Sequence, residues 1–227
     1  MSEPVSDRAR ATLDMLRAAL HAHHGRIALV SSFGTESAVL LDMAARIDRA
    51  LPVIFLETGK LFPDTIAYRN ALVARLRLHD VRTIRPDPAH LAALDPDGAL
   101  FGRDPDLCCT IRKTMPLDAA LDGFEAWISG RKRTQSDQRA RILPIETGPD
   151  GRTIVNPLHD WERADIDAYF AARRLPRHPL EAEGFPSIGC ATCTRRVRPG
   201  EPPRAGRWSG TSKTECGIFL DRAGQAA

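Results

Sequence analysis

Apolar side chains recur at Ala9, Leu13, Leu16 and Leu20, three or four residues apart, and predict an amphipathic helix that Asp7 can cap and Gly25 ends. The period then changes. Residues 26–31 (RIALVS) are a short apolar run of strand length, followed by the small-residue turn SFGTES and a helical stretch, AVLLDMAARI. The same alternation repeats: a buried strand at 51–56 (LPVIFL), a helix from Pro63 and Asp64 with Ile66, Tyr68, Val73 and Leu76 on its apolar side, and a third strand at Val81–Ile84. Residues 86–107 hold four prolines and two glycines and are expected to be irregular. A helix at 115–121, a strand at 124–129 (FEAWIS) and a short strand at Thr153–Val155 come next. Asp160 is expected to cap a helix carrying Trp161, Ile166, Tyr169 and Phe170, with sparse regular structure after Arg173.

Strands alternating with helices predict an α/β fold, a mostly parallel sheet flanked by helices, with an irregular C-terminal segment and a mobile tail. Residues 1–183 are expected to form the α/β part and 184–227 a segment and tail integrated with it. At 227 residues the chain is long enough to bury a sizeable core. Its 43% hydrophobic and 27% charged content are ordinary for a soluble protein, and no apolar run reaches the roughly 20 residues of a membrane helix. The N-terminus shows no secretory h-region, so a cytoplasmic setting is expected. A net charge of +3 is too small to predict nucleic-acid binding.

The turn from Ser31 and Ser32 through Phe33, Gly34, Thr35 and Glu36 to Ser37 leads from a strand into a helix, where free backbone N–H groups suit a phosphate. It lacks the GK[ST] ending of a P-loop, and capping alone accounts for many such turns. Residues 130–136 (GRKRTQS) form a basic loop leaving a strand end, where ligands sit in an open α/β sheet, although a solvated loop explains it equally well.

Five cysteines fall into two pairs and a single thiol: Cys108 with Cys109, Cys190 with Cys193, and Cys216 near the C-terminus. In a reducing cytosol such pairs favour metal or catalytic roles over disulfides. Adjacent side chains converge poorly on one zinc ion, whereas an iron–sulfur cluster offers separate iron atoms. The residue chemistry therefore ranks cluster ahead of zinc, and zinc ahead of a vicinal disulfide. Cys216 reads either as an exposed surface thiol or as a nucleophile carried to a cationic pocket.

The segments SSFGTESAVLL, LETGKLFPDT, CCTIRKTMPL, SGRKRTQSDQRA, VNPLHDW, GFPSIGCATCTRRVRPGEPPRAGRW and KTECGI span residues 31–218. Together they resemble the assimilatory adenylylsulfate reductases of the phosphoadenylylsulfate reductase family. The resemblance implies an adenine-nucleotide α-hydrolase-like fold, with Ser31–Ser37 and Glu57, Thr58 and Gly59 at the nucleotide and Arg131 in a basic loop beside it. It further implies that Cys108, Cys109, Cys190 and Cys193 hold a 4Fe-4S cluster. Lys113 would lie between cluster and substrate, Arg204 and Arg207 would engage the phosphosulfate, and Cys216 would be the catalytic cysteine. The implied reaction is reduction of adenosine 5′-phosphosulfate to sulfite and AMP, with thioredoxin or a similar dithiol as partner. Oligomeric state is left open. Where the family usually has Glu-Cys-Gly-Leu-His, this chain has Glu215-Cys216-Gly217-Ile218-Phe219.

Three other readings remain at this stage. One is a reductase of the 3′-phosphorylated nucleotide, and another an enzyme of the same fold that adenylates RNA for sulfur transfer. The third is a metal-stapled nucleic-acid-binding module.

Overall fold

The apolar runs become parallel strands because both of their faces are covered. In the computed structural model, which describes residues 6–219, the chain begins with α1 (Asp7–Ala22), β1 (Ile27–Val30), α2 (Ser37–Ala45), β2 (Val53–Leu56), α3 (Pro63–Leu76) and β3 (Val81–Ile84). Then come α4 (Pro88–Leu94), α5 (Leu100–Arg103), α6 (Pro105–Cys109), α7 (Met115–Ala120), β4 (Ala126–Ile128), β5 (Ile145–Thr147), β6 (Thr153–Val155), α8 (Arg163–Arg173) and α9 (Pro179–Ala182). The sheet order is β3-β2-β1-β4-β6-β5, parallel throughout except for β5, which pairs antiparallel with β6 at the edge. Strands β1 to β3 step outward on one side; on the other, β6 lies next to β4 and β5 pairs outside it. The order therefore reverses between β1 and β4, the position at which open α/β sheets leave a crevice beyond their strand ends.

Alternation along the strands sends side chains to two cores. Leu29, Phe55 and Ile128 face one side with Leu16, Leu41, Leu72, Trp161 and Ile166. Ala28, Ile54, Trp127 and Ile154 face the other, against Leu117 and Leu121 from the α7 end. Each fully buried Leu, Ile or Phe contributes about 1.5–3 kcal/mol of transfer free energy. Trp161 also donates its indole N–H to Thr12 Oγ1 at 2.9 Å, tying α1 to the segment before α8.

Several local expectations change. Ser6, not Asp7, caps α1: its Oγ accepts the Ala9 N–H at 3.2 Å, and Asp7 occupies the first turn. Glu162, not Asp160, precedes α8, where the Asp165 carboxylate accepts the Glu162 N–H at 2.8 Å. Residues 86–107 are largely helical rather than irregular. Pro88 and Pro105 stand in the first turns of α4 and α6, where a missing N–H breaks no bond, behind the caps Asp87 and Asp104. The edge strand β5 was not anticipated; it is three residues long, and Ile145 is 56% exposed.

Between α6 and α7, residues Thr110–Thr114 form a single π-helical turn. Such turns insert a residue into the helical register and recur at functional sites. Here Arg112 is buried against β2's outgoing loop while Lys113 lines the crevice.

Candidate active site

The loop after β1 is shaped by its own hydroxyls. Ser31 Oγ accepts the Phe33 N–H at 3.2 Å, and Ser37 Oγ accepts the Gly34 N–H at 2.9 Å. Phe33 takes a left-handed φ of 48°, costly for a bulky residue, and its fully buried ring holds it there against Phe55 at 5.3 Å. The loop thus opens a cleft of about 510 Å³ lined by Ser31, Ser32, Gly34, Thr35, Glu36 and Ser37. Phe33 lies beneath it in the core. Glu36 pairs with Lys132 Nζ at 2.8 Å, and Thr35 Oγ1 donates to the Pro186 carbonyl at 2.8 Å, which brings the C-terminal segment onto the loop.

The three residues after β2 divide. Glu57 turns back to accept the Gly59 N–H at 2.8 Å and faces Arg85 at 3.4 Å; neither Glu57 nor Gly59 lines the cleft. Thr58 does line it, and links it to the cysteines. Its carbonyl accepts from Arg112 Nη1 at 2.8 Å, its Oγ1 lies 3.3 Å from Cys190 Sγ, and Arg112 is locked to buried Asp95. Arg131 also lines the cleft, held from behind by Glu146 and Asn156.

The two cysteine pairs, remote in sequence, meet beside this loop. Burial, then the nearby Cys190 and Cys193, raise the Cys108 thiol above its ordinary range, against the pull of Arg112. Lys113 is partly buried; desolvation opposes its charge, but Cys190, Cys216 and Cys109 around it prevail and raise its pKa. Among the described residues, no three His, Cys, Asp or Glu side chains close round a point as ligands of a single ion. Cys108 in the field of Cys190 and Cys193, Cys109 and Cys190 beside Lys113, and a hydroxyl on the Cys190 sulfur form a donor set that suits a thiolate-bound cluster.

The tail, expected to be mobile, is packed into the cleft as far as Phe219. Lys213 pairs with Asp106, and the Thr214 hydroxyl accepts from Gln138 Nε2 at 2.5 Å. Glu215 receives two bonds from Arg139, a third contact from Arg204 at 3.4 Å, and the Cys216 N–H at 2.9 Å. Cys216 is 8% exposed and brought down to about 5, first by a hydrogen bond from the Cys109 thiol, then by Lys113, the Ile218 N–H and Arg207, all against burial. A metal-bound Cys109 has no proton to donate, so the two cations and the N–H are the lasting causes. Cys109 itself is raised by the same hydrogen bond and by burial.

Arg207 donates to the Ile188 carbonyl at 3.1 Å and lies 4.5 Å from the Trp208 ring, but its buried Nε–H has no partner. Arg204 is lowered to about 10 by burial and by Arg139 and Arg207 close by. Partly buried cations with an unpaired donor, lining one cleft with a hydroxyl-rich loop, suit an anionic ligand. Thus Lys113, Arg131, Arg204, Arg207 and Cys216 converge with the β1 loop on one cleft.

A family model described as the phosphoadenosine phosphosulfate reductase domain matches residues 26–196. The chain belongs to this phosphoadenosine phosphosulfate reductase family. Among relatives of this reductase family, a Mesorhizobium japonicum protein named adenosine 5′-phosphosulfate reductase is 50% identical, over 90% of this chain and 80% of the relative. A second of that name, from Chelativorans, is 48% identical over 86% of this chain and 80% of the relative. A Gloeobacter violaceus protein named phosphoadenosine 5′-phosphosulfate reductase is 39% identical, over 90% and 86%. In fold, the chain is similar to a phosphoadenylyl-sulfate reductase from Candida auris, with TM-score 0.69 and 24% identity over 80% of this chain and 88% of that one. It is also similar to a Candida glabrata FMN adenylyltransferase, with TM-score 0.59 and 16% identity over 84% and 64%. The expected adenine-nucleotide α/β fold and reductase family therefore hold.

Sequence reasoning missed Arg139, Glu215, Trp127 and the Ser129–Asn156–Glu146 set behind Arg131. Arg139 stood only within the SGRKRTQSDQRA segment, with no role attached to it. Its partner lies 76 residues away, beyond any local pattern.

Proposed function

We propose that this chain reduces adenosine 5′-phosphosulfate to sulfite and AMP, with electrons from a thioredoxin-type dithiol. The observation that carries the reading is the Cys216 thiol, buried beside Lys113 and Arg207 in the cleft opened by the Ser31–Ser37 loop. The 50% and 48% identical relatives named for this substrate support it.

The Cys216 thiolate attacks the sulfate sulfur. The sulfur–oxygen bond to the phosphate breaks, AMP leaves with that electron pair, and Cys216 carries the SO3 group. A partner thiolate then attacks the Cys216 sulfur, and sulfite leaves with the sulfur–sulfur electron pair. The partner's second thiol closes its own disulfide and frees Cys216, so the dithiol supplies both electrons. Lys113, Arg204 and Arg207 oppose the repulsion between thiolate and sulfate. Two like charges 4 Å apart repel by about 4 kcal/mol at an effective dielectric of 20, which would slow attack roughly 1000-fold.

Cys108, Cys109, Cys190 and Cys193 would hold a 4Fe-4S cluster, which supplies a thiolate-held charge and a covalent tie between two distant segments. Thr58 Oγ1 and Lys113 would attend its ligands. The setting we infer is the reducing cytoplasm; among the described residues no helix is long and apolar enough to cross a membrane.

The test is sulfite release with thioredoxin from the nucleotide with and without its 3′-phosphate. The unphosphorylated substrate is expected to be preferred, with an S-sulfonated Cys216 trapped when the dithiol is left out. The Cys216→Ser variant should release no sulfite yet keep its iron; turnover by that variant would overturn the reading. Preference for the 3′-phosphorylated substrate would favour the activity for which the Gloeobacter relative is named.

A further inference from the structure

Phe219 stands three residues after Cys216, at the end of the short Gly217–Phe219 turn, and its N–H reaches the Cys216 carbonyl at 3.3 Å. Its ring is stacked on Trp127, with centroids 5.5 Å apart and planes 25° from parallel. The Arg131 guanidinium covers it at 4.2 Å, and the Arg139 guanidinium lies 5.7 Å away. Arg131 is itself held by Glu146 and Asn156, so the platform is built from β4 and the loop after it, not from the tail. Arg139 also grips Glu215, on the other side of Cys216.

We propose that Phe219 is a positioning residue: an aromatic latch that docks the tail and holds the Cys216 thiol inside the cleft. The cysteine lies between two anchors, a carboxylate on Arg139 and a ring clasped between Trp127 and Arg131. A turn of three residues leaves little freedom between the ring and the sulfur. The stacking on Trp127 needs no charge, and Arg139, which grips Glu215, also lies beside the ring and joins the two anchors. A stacked aromatic pair and a cation over its ring each add to ordinary apolar burial. At 8% exposure, Cys216 is hidden from a protein partner while the latch is closed. Handover to a dithiol, which rests on the function proposed above, therefore requires Phe219 to leave Trp127.

The latch is tested without any nucleotide chemistry, on the full-length protein purified anaerobically. Cys216 is alkylated with iodoacetamide and with a bulky maleimide, and the Thr214–Arg222 tryptic peptide is followed by mass spectrometry. In Phe219→Ala, alkylation of Cys216 is expected to be about tenfold faster or more, the factor of one lost stacked pair, with the bulky reagent gaining most. Phe219→Tyr and Phe219→Trp should restore protection, and Phe219→Leu should restore it only in part. An unchanged rate in Phe219→Ala, or full protection in Phe219→Leu, would overturn the aromatic latch. Failure of the proposed reductase activity would leave the alkylation result standing, and the reverse also holds.

Discussion

The Glu215 carboxylate lies across the Arg139 guanidinium in two bonds, 2.5 Å from Nε and 2.7 Å from Nη2. This buried pair holds the residue next to Cys216 against Arg139, just beyond the basic loop 130–136. Burial pushes the Glu215 carboxyl up, but Arg139, with Arg204 and the Cys216 N–H, wins and holds it below the usual range. Breaking one side of a buried pair typically costs about 3–5 kcal/mol; a tail that swings free recovers part of this through hydration. Glu215→Gln should therefore slow S-sulfonation of Cys216 by roughly tenfold or more, with unchanged iron content and a lowered thermal midpoint. Single-turnover mass spectrometry checks the rate, and a wild-type value would refute the role given to this pair.

Gly189 leaves room for an arginine. A Cβ built there would come 2.3 Å from Arg207 Nη2 and 2.6 Å from its Cζ, so the guanidinium would have to move. Gly189→Ala is expected to weaken nucleotide binding about tenfold, the loss of roughly one charged hydrogen bond. Its far-UV circular dichroism should match wild type. Calorimetry with the sulfonucleotide measures the effect, and unaltered affinity would show that Arg207 does not hold the anion.

His178 makes stability depend on pH. Its Nδ1 accepts the Leu180 N–H at 3.3 Å, and Nε2 lies 3.1 Å from Thr65 Oγ1, an arrangement met by the neutral ring with its proton on Nε2. Burial lowers its pKa, against the pull of Asp64 and Glu181. The unfolded chain therefore binds the proton more readily. Stability from this site is fully present above about pH 6.5 and falls as pH drops through the folded value, by about 1.4 kcal/mol per unit of depression. Urea unfolding at pH 7.5 and 5.5 should show a larger acid loss for wild type than for His178→Asn. Equal losses would remove His178 as the cause.

Asp95 and Arg112 are both buried, and Arg112 continues to the Thr58 carbonyl. Asp95→Asn leaves a buried guanidinium without its counter-charge and should lower stability by about 3–5 kcal/mol. Iron retention should fall as well, because the π-turn beside Cys108 and Cys109 loses its anchor. Chemical denaturation and iron analysis report the two effects, and intact stability would mean that water solvates Arg112.

Local pattern carried much of the fold because period and burial are local properties. The runs around β1, β2 and β4 are continuous and apolar since both faces of a parallel sheet are covered, and the alternation with helices dictates the layers. The Ser31–Ser37 loop and the two cysteine pairs were legible as residue types suited to an anion and a metal group. Residues 86–107 misled because proline is both a helix breaker and a good first-turn residue; its cap decides, and Asp87 and Asp104 supply it.

The sequence by itself determined the alternation of the main strands and helices, the small-residue loop after β1 and the set of five thiols. Only the tertiary structure decided that the tail lies in the cleft, with Glu215 on Arg139 and Phe219 on Trp127. It also decided that Thr58 faces Cys190 rather than the cleft alone. These pairs are separated by 76 to 132 positions. Local periodicity specifies which face of an element is buried, whereas such contacts depend on how the folded sheet and its loops bring distant segments together.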